Sequence, residues 1–291
     1  MNKIPVGPTI RAAYRFVFTH LGAIIGLIWL PMIVVTVAGF FVEQRYYQDA
    51  ADAFASGSYG AMGPSMLGLV CYFIVALLLY AAMYVPVTQL ALGLRKGHVL
   101  AYLAFGATEW RLFRAFAGVA LFLLLPIILL VLLGGTVLDL AGDRLPAGMT
   151  ALLPAALFVA GWFVLLYLGL RFAFLLPAVA VAESTPPLPR SWILSAGNFW
   201  RILLVAIATL GPVAVIADLA EALLQGPQAV MPGLSLSPAI AAAQLHAMAG
   251  NMPVSAGISF LIAPLVLGLS AGASAAALTA LTGRAEVIPP P

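Results

Sequence analysis

Long apolar runs alternate with short polar segments along this chain. Several runs exceed about 18 residues, the length at which a helix crosses the hydrocarbon core of a bilayer. The apolar positions are continuous rather than alternating, which favours helices over the strands of a barrel. The pattern predicts an all-α, polytopic transmembrane helical bundle that forms one membrane domain over residues 1–291. We predict six spans, at roughly 21–42, 66–93, 115–140, 151–178, 200–224 and 256–282.

The composition excludes an ordinary soluble domain. Hydrophobic residues make up 64% of the chain and charged residues only 8%, and the mean hydropathy is +1.11. A soluble domain carries about a quarter charged residues, so this chain cannot cover a soluble fold with a polar surface. The single cysteine, Cys71, excludes an intrachain disulfide. The net charge of +3 comes without a basic run, so we expect no nucleic-acid partner.

The basic residues concentrate in segments that share one side of the membrane. These residues are Lys3, Arg11, Arg15, Arg95, Lys96, Arg111, Arg114, Arg190, Arg201 and Arg284. The other side holds only Arg45 and Arg144, together with acidic residues that include Glu43, Asp218 and Glu221. The positive-inside rule therefore predicts a multi-pass protein of the bacterial inner membrane with both termini in the cytoplasm. In the outer segment 225–255, Ser237 and Pro238 are predicted to begin a short interfacial helix.

A phenylalanine precedes a proline by the same distance in each odd-numbered span. The pairs are Phe18 with Pro31, Phe113 with Pro126, and Phe199 with Pro212. A proline inside a helix frees the carbonyl four residues earlier, so we predict kinks at Pro31, Pro126 and Pro212. The spacing favours three repeated helix pairs over coincidence among the 21 prolines. The predicted repeat units are 7–95, 99–183 and 188–284.

Each odd-numbered span is preceded by a stretch that could lie along the membrane surface as an amphipathic elbow. In the first stretch, Arg11 and Arg15 lie opposite an apolar face with helical spacing. The second contains Trp110 and Arg114. In the third, "RSWILSAGNFWRILL", Gly197 is predicted to end a short helix and Asn198 to cap the next. Tryptophans and arginines at this depth suit the membrane–water interface and anionic lipid phosphates.

The stretch from Leu170 to Leu203 resembles the membrane domain of the glycerophosphoryl diester phosphodiesterase family. The similar positions are Arg171, Pro177, Glu183, Ser191, Trp192, Leu194, Gly197, Asn198, Phe199, Trp200 and Arg201. The resemblance implies a multi-span bacterial bundle. In some members the resemblance implies a fused catalytic phosphodiesterase domain. We expect none here, because membrane spans and short loops take up the whole of this sequence. The proline-rich Thr185–Pro189 departs from the family pattern, in which a small helix is usual.

Arg171 is the one charge predicted well inside a span. A charged arginine at the centre of a bilayer costs at least about 2.5–3.5 kcal/mol, so a compensating interaction is expected. Three interactions are open: snorkelling to the headgroups, pairing with Glu183, and binding a lipid phosphate. The candidates for lipid or headgroup contact are Arg171, Trp192, Trp200, Arg201, Arg114, Trp110 and Arg15.

The histidines argue against an enzyme. His20 and His98 are predicted on one side of the membrane and His246 on the other, and no carboxylate cluster stands near any of them. Metal-assisted hydrolysis needs several ligands that converge on one ion. We therefore predict no catalytic residue, no metal site and no cofactor.

Gly268 and Gly272 form a G-x-x-x-G pattern in the sixth span. Small residues let helices approach closely, either within the bundle or in a homodimer. The leading hypothesis is a non-enzymatic membrane protein that binds or moves phospholipid at the cytoplasmic leaflet. Two alternatives are a scaffold or regulatory subunit of a cell-envelope complex, with a membrane-protein partner, and a small-solute transporter.

Overall fold

The computed structural model describes residues 3–95, 102–141, 147–225 and 238–283. Lys96, His98, Arg144, Ser237 and Arg284, which the sequence analysis used, lie outside these ranges. The described residues form helices and no strand. The α-helices are α1 (Val6–Ser56), α2 (Gly63–Ala91), α3 (Ala107–Ala141), α4 (Ala147–Ala173), α5 (Leu176–Ala182), α6 (Pro187–Ser195), α7 (Phe199–Gln225) and α8 (Pro238–Thr282).

Six helical segments are long and apolar enough to cross a membrane. They are provided by α1, α2, α3, α4 continued through α5, α7, and α8. The all-α bundle with six spans is therefore confirmed. The predicted bounds of the second and fifth spans agree with α2 and α7 to within a few residues.

The first and last helices are much longer than predicted. α1 has 51 residues and α8 has 45, so they extend about 76 Å and 68 Å, more than twice the hydrocarbon thickness. The prediction of a loop with a separate interfacial helix in 238–255 is wrong, because this stretch is the beginning of α8. Its alanine-rich sequence favours a helix, and Pro253 removes only one backbone hydrogen bond from it.

Two of the three predicted elbows are wrong. Arg11 and Arg15 lie within α1, which runs without a break into the first span. Trp110 and Arg114 lie in the first turns of α3, in the same helix as the third span. Gly22 stands where the first bend was expected, but α1 continues through it without a break. The third elbow is a helix, a turn and a second helix, and it is described with the site below.

The fourth span is broken near its end. α4 stops at Ala173, and the chain bends before α5 starts at Leu176. Pro177 has no N–H group to donate to the carbonyl four residues back, and it occupies the first turn of α5. Arg171 therefore lies in the last turn of α4, just before this bend, and within the apolar segment that continues to Ala182.

The helices alternate in direction, so that the beginnings of α1 and α7 meet the end of α8. Ile4 lies 3.1 Å from Asn198, measured from its amide nitrogen to Oδ1, and packs in one buried cluster with Ala277 and Leu278. Arg15, Arg114 and Arg201 also lie at this end of the molecule, so we call it the basic end. At the opposite end, His246 Nε2 in α8 lies 3.7 Å from a carboxylate oxygen of Asp52 in α1.

The α1–α8 pair has the closest backbone approach described in the core. A Cβ atom on Gly268 would lie 2.8 Å from Val17 Cγ2, and one on Gly272 would lie 3.2 Å from the Cα of Ala13. Both predicted packing glycines therefore face α1 within the bundle. Because α1 covers this surface, a homodimer cannot use it without displacing that helix.

The exterior of the bundle is apolar. Phe18 is 73% exposed, Leu121 is 70% exposed and Leu261 is 74% exposed. Exposed apolar surface on this scale is rare in soluble monomers and fits the hydrocarbon core of a bilayer. Together with the six long apolar helices, this surface defines an integral, multi-pass membrane protein.

Each predicted kink proline lies inside a helix: Pro31 in α1, Pro126 in α3 and Pro212 in α7. Pro212 cannot donate to the carbonyl of Ala208. The hydroxyl of Tyr14 in α1 donates to that carbonyl at 2.9 Å. α1 thus supplies the hydrogen bond that the proline removes from α7. The division into three repeat units remains a prediction.

We expect Tyr14→Phe to lower the free energy of unfolding by about 0.5–1.5 kcal/mol, the usual net value of a hydrogen bond. In a Pro212→Ala background the same change should cost less, because the alanine N–H then satisfies the Ala208 carbonyl. A double-mutant cycle, followed by unfolding in mixed detergent micelles, measures this coupling. Equal costs of Tyr14→Phe in the two backgrounds would contradict the assignment.

Candidate functional site at the basic end

The third predicted elbow is a tight connection between two helices. α6 ends at Ser195, Gly197 adopts a left-handed conformation with φ of +72°, and α7 begins at Phe199. Such a φ is strained for a residue with a Cβ, which explains the glycine. The proline-rich segment does not disrupt the elbow, because Pro187 lies in the first turn of α6.

Arg171 fastens the end of α4 to this elbow. Its Nε donates to Ser195 Oγ at 3.2 Å, and its Nη2 donates to the carbonyl of Trp192 at 2.9 Å. Its Nη1 donates to the hydroxyl of Tyr167, one turn earlier, at 2.9 Å. The guanidinium carbon lies 3.5 Å from the centre of the Trp192 ring, within cation–π range. The arginine is therefore compensated by protein groups at the end of a helix.

The contacts of Arg171 bear on the three interactions that the sequence left open. Its described hydrogen-bond partners are Tyr167, Trp192 and Ser195, whereas Glu183 forms an ion pair with Arg190 at 2.8 Å. A guanidinium has five N–H donors, and Arg171 uses three of them within the described residues. Two donors remain for a further acceptor, so a lipid phosphate oxygen can add to the protein contacts.

Asn198 and Arg201 hold the beginning of the chain. Asn198 Oδ1 accepts a hydrogen bond from the Ile4 amide at 3.1 Å, and Arg201 Nη1 donates to the Ile4 carbonyl at 2.8 Å. The side chain of Asn198 thus binds a distant backbone amide, which the capping prediction did not include. No sequence signal connects positions that are 194 residues apart.

The remaining predicted lipid contacts lie at the same end, Trp200 in α7 and the others in α1 and α3. Trp200 is 72% exposed, Trp110 is 47% exposed, and Arg15 and Arg114 are exposed. Within the described residues, the side chains of Arg15 and Arg114 make no hydrogen bond, ion pair or ring contact with the elbow. These residues suit an anchoring role at the interface.

The sequence analysis missed the role of Arg111. Its Nη2 donates to the carbonyl of Ala180 in α5, so α3 holds the short helix that follows the break in the fourth span. Like Arg171, it uses a charged side chain to fix irregular backbone at the end of the bundle. Arg111 lies in a basic segment that orientation alone could explain, so the sequence does not single it out as it does Arg171.

An apolar crevice lies beside the elbow. It has a volume of about 420 Å³ and runs between α4 on one side and α2, α7 and α8 on the other. Trp162, Gly169 and Ala173 line its α4 side, and Trp162 is 60% exposed on the outer surface of the bundle. The hydroxyls of Tyr84 and Ser270, which also line it, hydrogen-bond to each other at 3.0 Å. An apolar guest would meet few unsatisfied polar groups there.

The fold and this surface define the class of the protein, an integral membrane protein of six apolar helices. Comparison with protein-family models, with curated proteins and with solved structures found no match. Membership of the family that Leu170–Leu203 resembles therefore stays a prediction. Among the residues the structure describes, no three His, Cys, Asp or Glu side chains are grouped to hold a metal ion.

Proposed function

We propose that the protein is a non-enzymatic membrane protein that binds phospholipid at its basic end. The apolar crevice beside the elbow carries this proposal, because its length along α4 and its lining suit an acyl chain. The crevice reaches Phe174 and Pro177, which lie next to the turn of α4 that carries Arg171. A lipid seated there would place its phosphate near the two remaining N–H donors of that guanidinium.

The surroundings of the crevice support a headgroup at this level. Trp200 is exposed at the beginning of α7, where an indole ring suits the membrane–water interface. Exposed Arg15 and Arg114 at the same end would attract anionic lipids. By the positive-inside rule, we propose that the basic end faces the cytoplasm of a bacterial cell and that the lipid belongs to the inner leaflet.

The scaffold hypothesis needs a surface that is free to contact a partner protein, and the G-x-x-x-G face was one candidate for it. Its G-x-x-x-G face is covered by α1, as Gly268 and Gly272 show. The long ends of α1 and α8 could still contact a partner protein. The transporter hypothesis gains a polar cavity at the opposite end of the bundle, described below.

Filling the crevice tests lipid binding. Gly169 lines it, and a Cβ at this position would have no atom within 4 Å, so Gly169→Leu should fold while its side chain occupies the space. We expect native mass spectrometry in membrane lipids to show bound phospholipid on the wild type, with at least about a tenfold loss in Gly169→Leu.

Gly22→Leu is the matched control. Gly22 is exposed in α1, also has open space at its Cβ position, and does not line the crevice. It should retain phospholipid as the wild type does. Equal lipid retention in all three proteins would exclude the crevice as the binding site, and the absence of bound lipid from the wild type would exclude the proposed function.

A further inference from the structure

A second cavity lies in the half of the bundle opposite the elbow. Its volume is about 460 Å³, and α1, α2, α7 and α8 line it. Along α1 it extends from Met32 to Tyr47, a length of about 22 Å. Its inner end lies beside Tyr80 and Ser259, and its outer end lies near Glu221 and Gln244, where α7 approaches its last residue. The cavity therefore penetrates from the membrane surface toward the middle of the bundle.

Two carboxylates line this cavity without a basic partner. Glu43 of α1 and Glu221 of α7 both belong to its wall, and none of its lining residues is Lys, Arg or His. The ion pairs of the described residues join other groups, and neither glutamate takes part in one. The sequence analysis placed both glutamates on the outer side, Glu43 directly after the first span and Glu221 near the outer end of the fifth. In the structure they are helical residues of α1 and α7 whose side chains line the cavity. A carboxyl group in such a cavity is either protonated or balanced by a positive charge.

Aromatic rings and neutral polar groups complete the wall. Tyr47, Tyr72 and Tyr80 supply ring faces and hydroxyls. Tyr72 reaches across to α1, where its hydroxyl donates to the Val35 carbonyl at 3.3 Å, and only a glycine at position 39 leaves room for it. Thr36 also lines the cavity, and its buried hydroxyl oxygen has no hydrogen-bond partner among the described residues.

We propose that the cavity binds a small organic cation of the ammonium or diamine class, which enters from the side opposite the basic end. Two unpaired carboxylates attract positive charge, and tyrosine faces bind ammonium groups through cation–π interactions. The cavity is several times larger than a single metal ion needs, and aromatic rings do not ligate hard cations. This site is separate from the apolar crevice and does not depend on lipid binding there.

Binding of 1,4-diaminobutane and tetramethylammonium to the purified wild-type protein in nanodiscs, measured by isothermal titration calorimetry, tests the proposal. We expect Glu43→Gln and Glu221→Gln each to weaken binding of the diamine about tenfold or more. The reason is that a hydrogen bond between an ammonium group and a carboxylate is stronger than one to a neutral amide. Tyr72→Phe keeps the ring face and should leave tetramethylammonium binding nearly unchanged.

Asp218→Asn is the matched control for loss of charge. Asp218 lies one turn before Glu221 in α7, is exposed, and does not line the cavity. It should bind both probes as the wild type does. The proposal is overturned if the wild type binds neither probe, if it binds only Na⁺ or Ca²⁺, or if Asp218→Asn weakens binding as much as the glutamate variants. The lipid measurement with Gly169→Leu is independent of each of these results.

Discussion

Replacing Arg171 by alanine is expected to lower the free energy of unfolding by about 2–4 kcal/mol, because one change removes three hydrogen bonds from a charged donor and a cation–π contact. It also leaves the Trp192 carbonyl with the Ser195 hydroxyl as its remaining side-chain donor. The end of α4 would then lose its attachment to α6. Thermal unfolding in detergent and equilibrium unfolding in mixed micelles measure the loss.

Two further variants separate charge from geometry at this position. Arg171→Lys keeps the charge but not the planar fork that reaches Tyr167, Trp192 and Ser195 together, so its stability should be intermediate. Arg114→Ala removes an exposed arginine of the same end and should change stability by less than about 0.5 kcal/mol. If Arg171→Ala proves as mild as Arg114→Ala, the elbow is held by other contacts.

Replacing Gly272 by leucine is expected to separate the first and last helices. A Cβ there would lie 3.2 Å from the Cα of Ala13 and 3.0 Å from the ring of Phe16, so a larger side chain must push the backbone of α1 away. We expect a loss of about 1–3 kcal/mol or more in the free energy of unfolding, the usual cost of overpacking. Unfolding in mixed micelles measures it.

Gly257→Leu is the control on the same helix. A Cβ at Gly257 would meet no atom within 4 Å, and leucine has the better helix propensity, so stability should stay the same or rise slightly. A similar loss in both variants would mean that α8 is sensitive to any substitution, and would contradict close packing at Gly272 as the cause.

The sequence predicted the spans well because their signal is local. Runs of apolar residues identify α2 and α7 almost to the residue. The errors arose where a helix continues beyond its apolar run into a segment with polar side chains. Residues 43–56 of α1 and 238–255 of α8 contain polar side chains, and we assigned them to loops. The first stretch has no glycine or proline, and Pro253 does not end α8. Two helices that pack on each other can continue beyond the hydrocarbon core of the membrane. The hydrophobic pattern of one helix alone does not show where its packing partner lies.

The sequence identified residues of the elbow but not their partners. Gly197 could be placed at a helix end because a left-handed conformation has a strong residue preference. The contacts of Arg171 with Ser195 and of Asn198 with Ile4 depend on how distant helices pack, so no local pattern predicts them. The cavity that contains Glu43 and Glu221 was missed for the same reason, since its wall comes from four helices.

The pairing of α1 with α8 has a consequence for biosynthesis. Of the described helices, α1 packs most extensively on α8, which follows it in the chain by about 180 residues or more. The contacts of Ile4 with Asn198 and of Tyr14 with Ala208 each span 194 residues, so they also form only after α7 has been translated. A chain that stops before Pro238 lacks the surface that covers Ala13 and Val17. During synthesis, groups other than α7 and α8 must therefore cover this face of α1 until those two helices emerge.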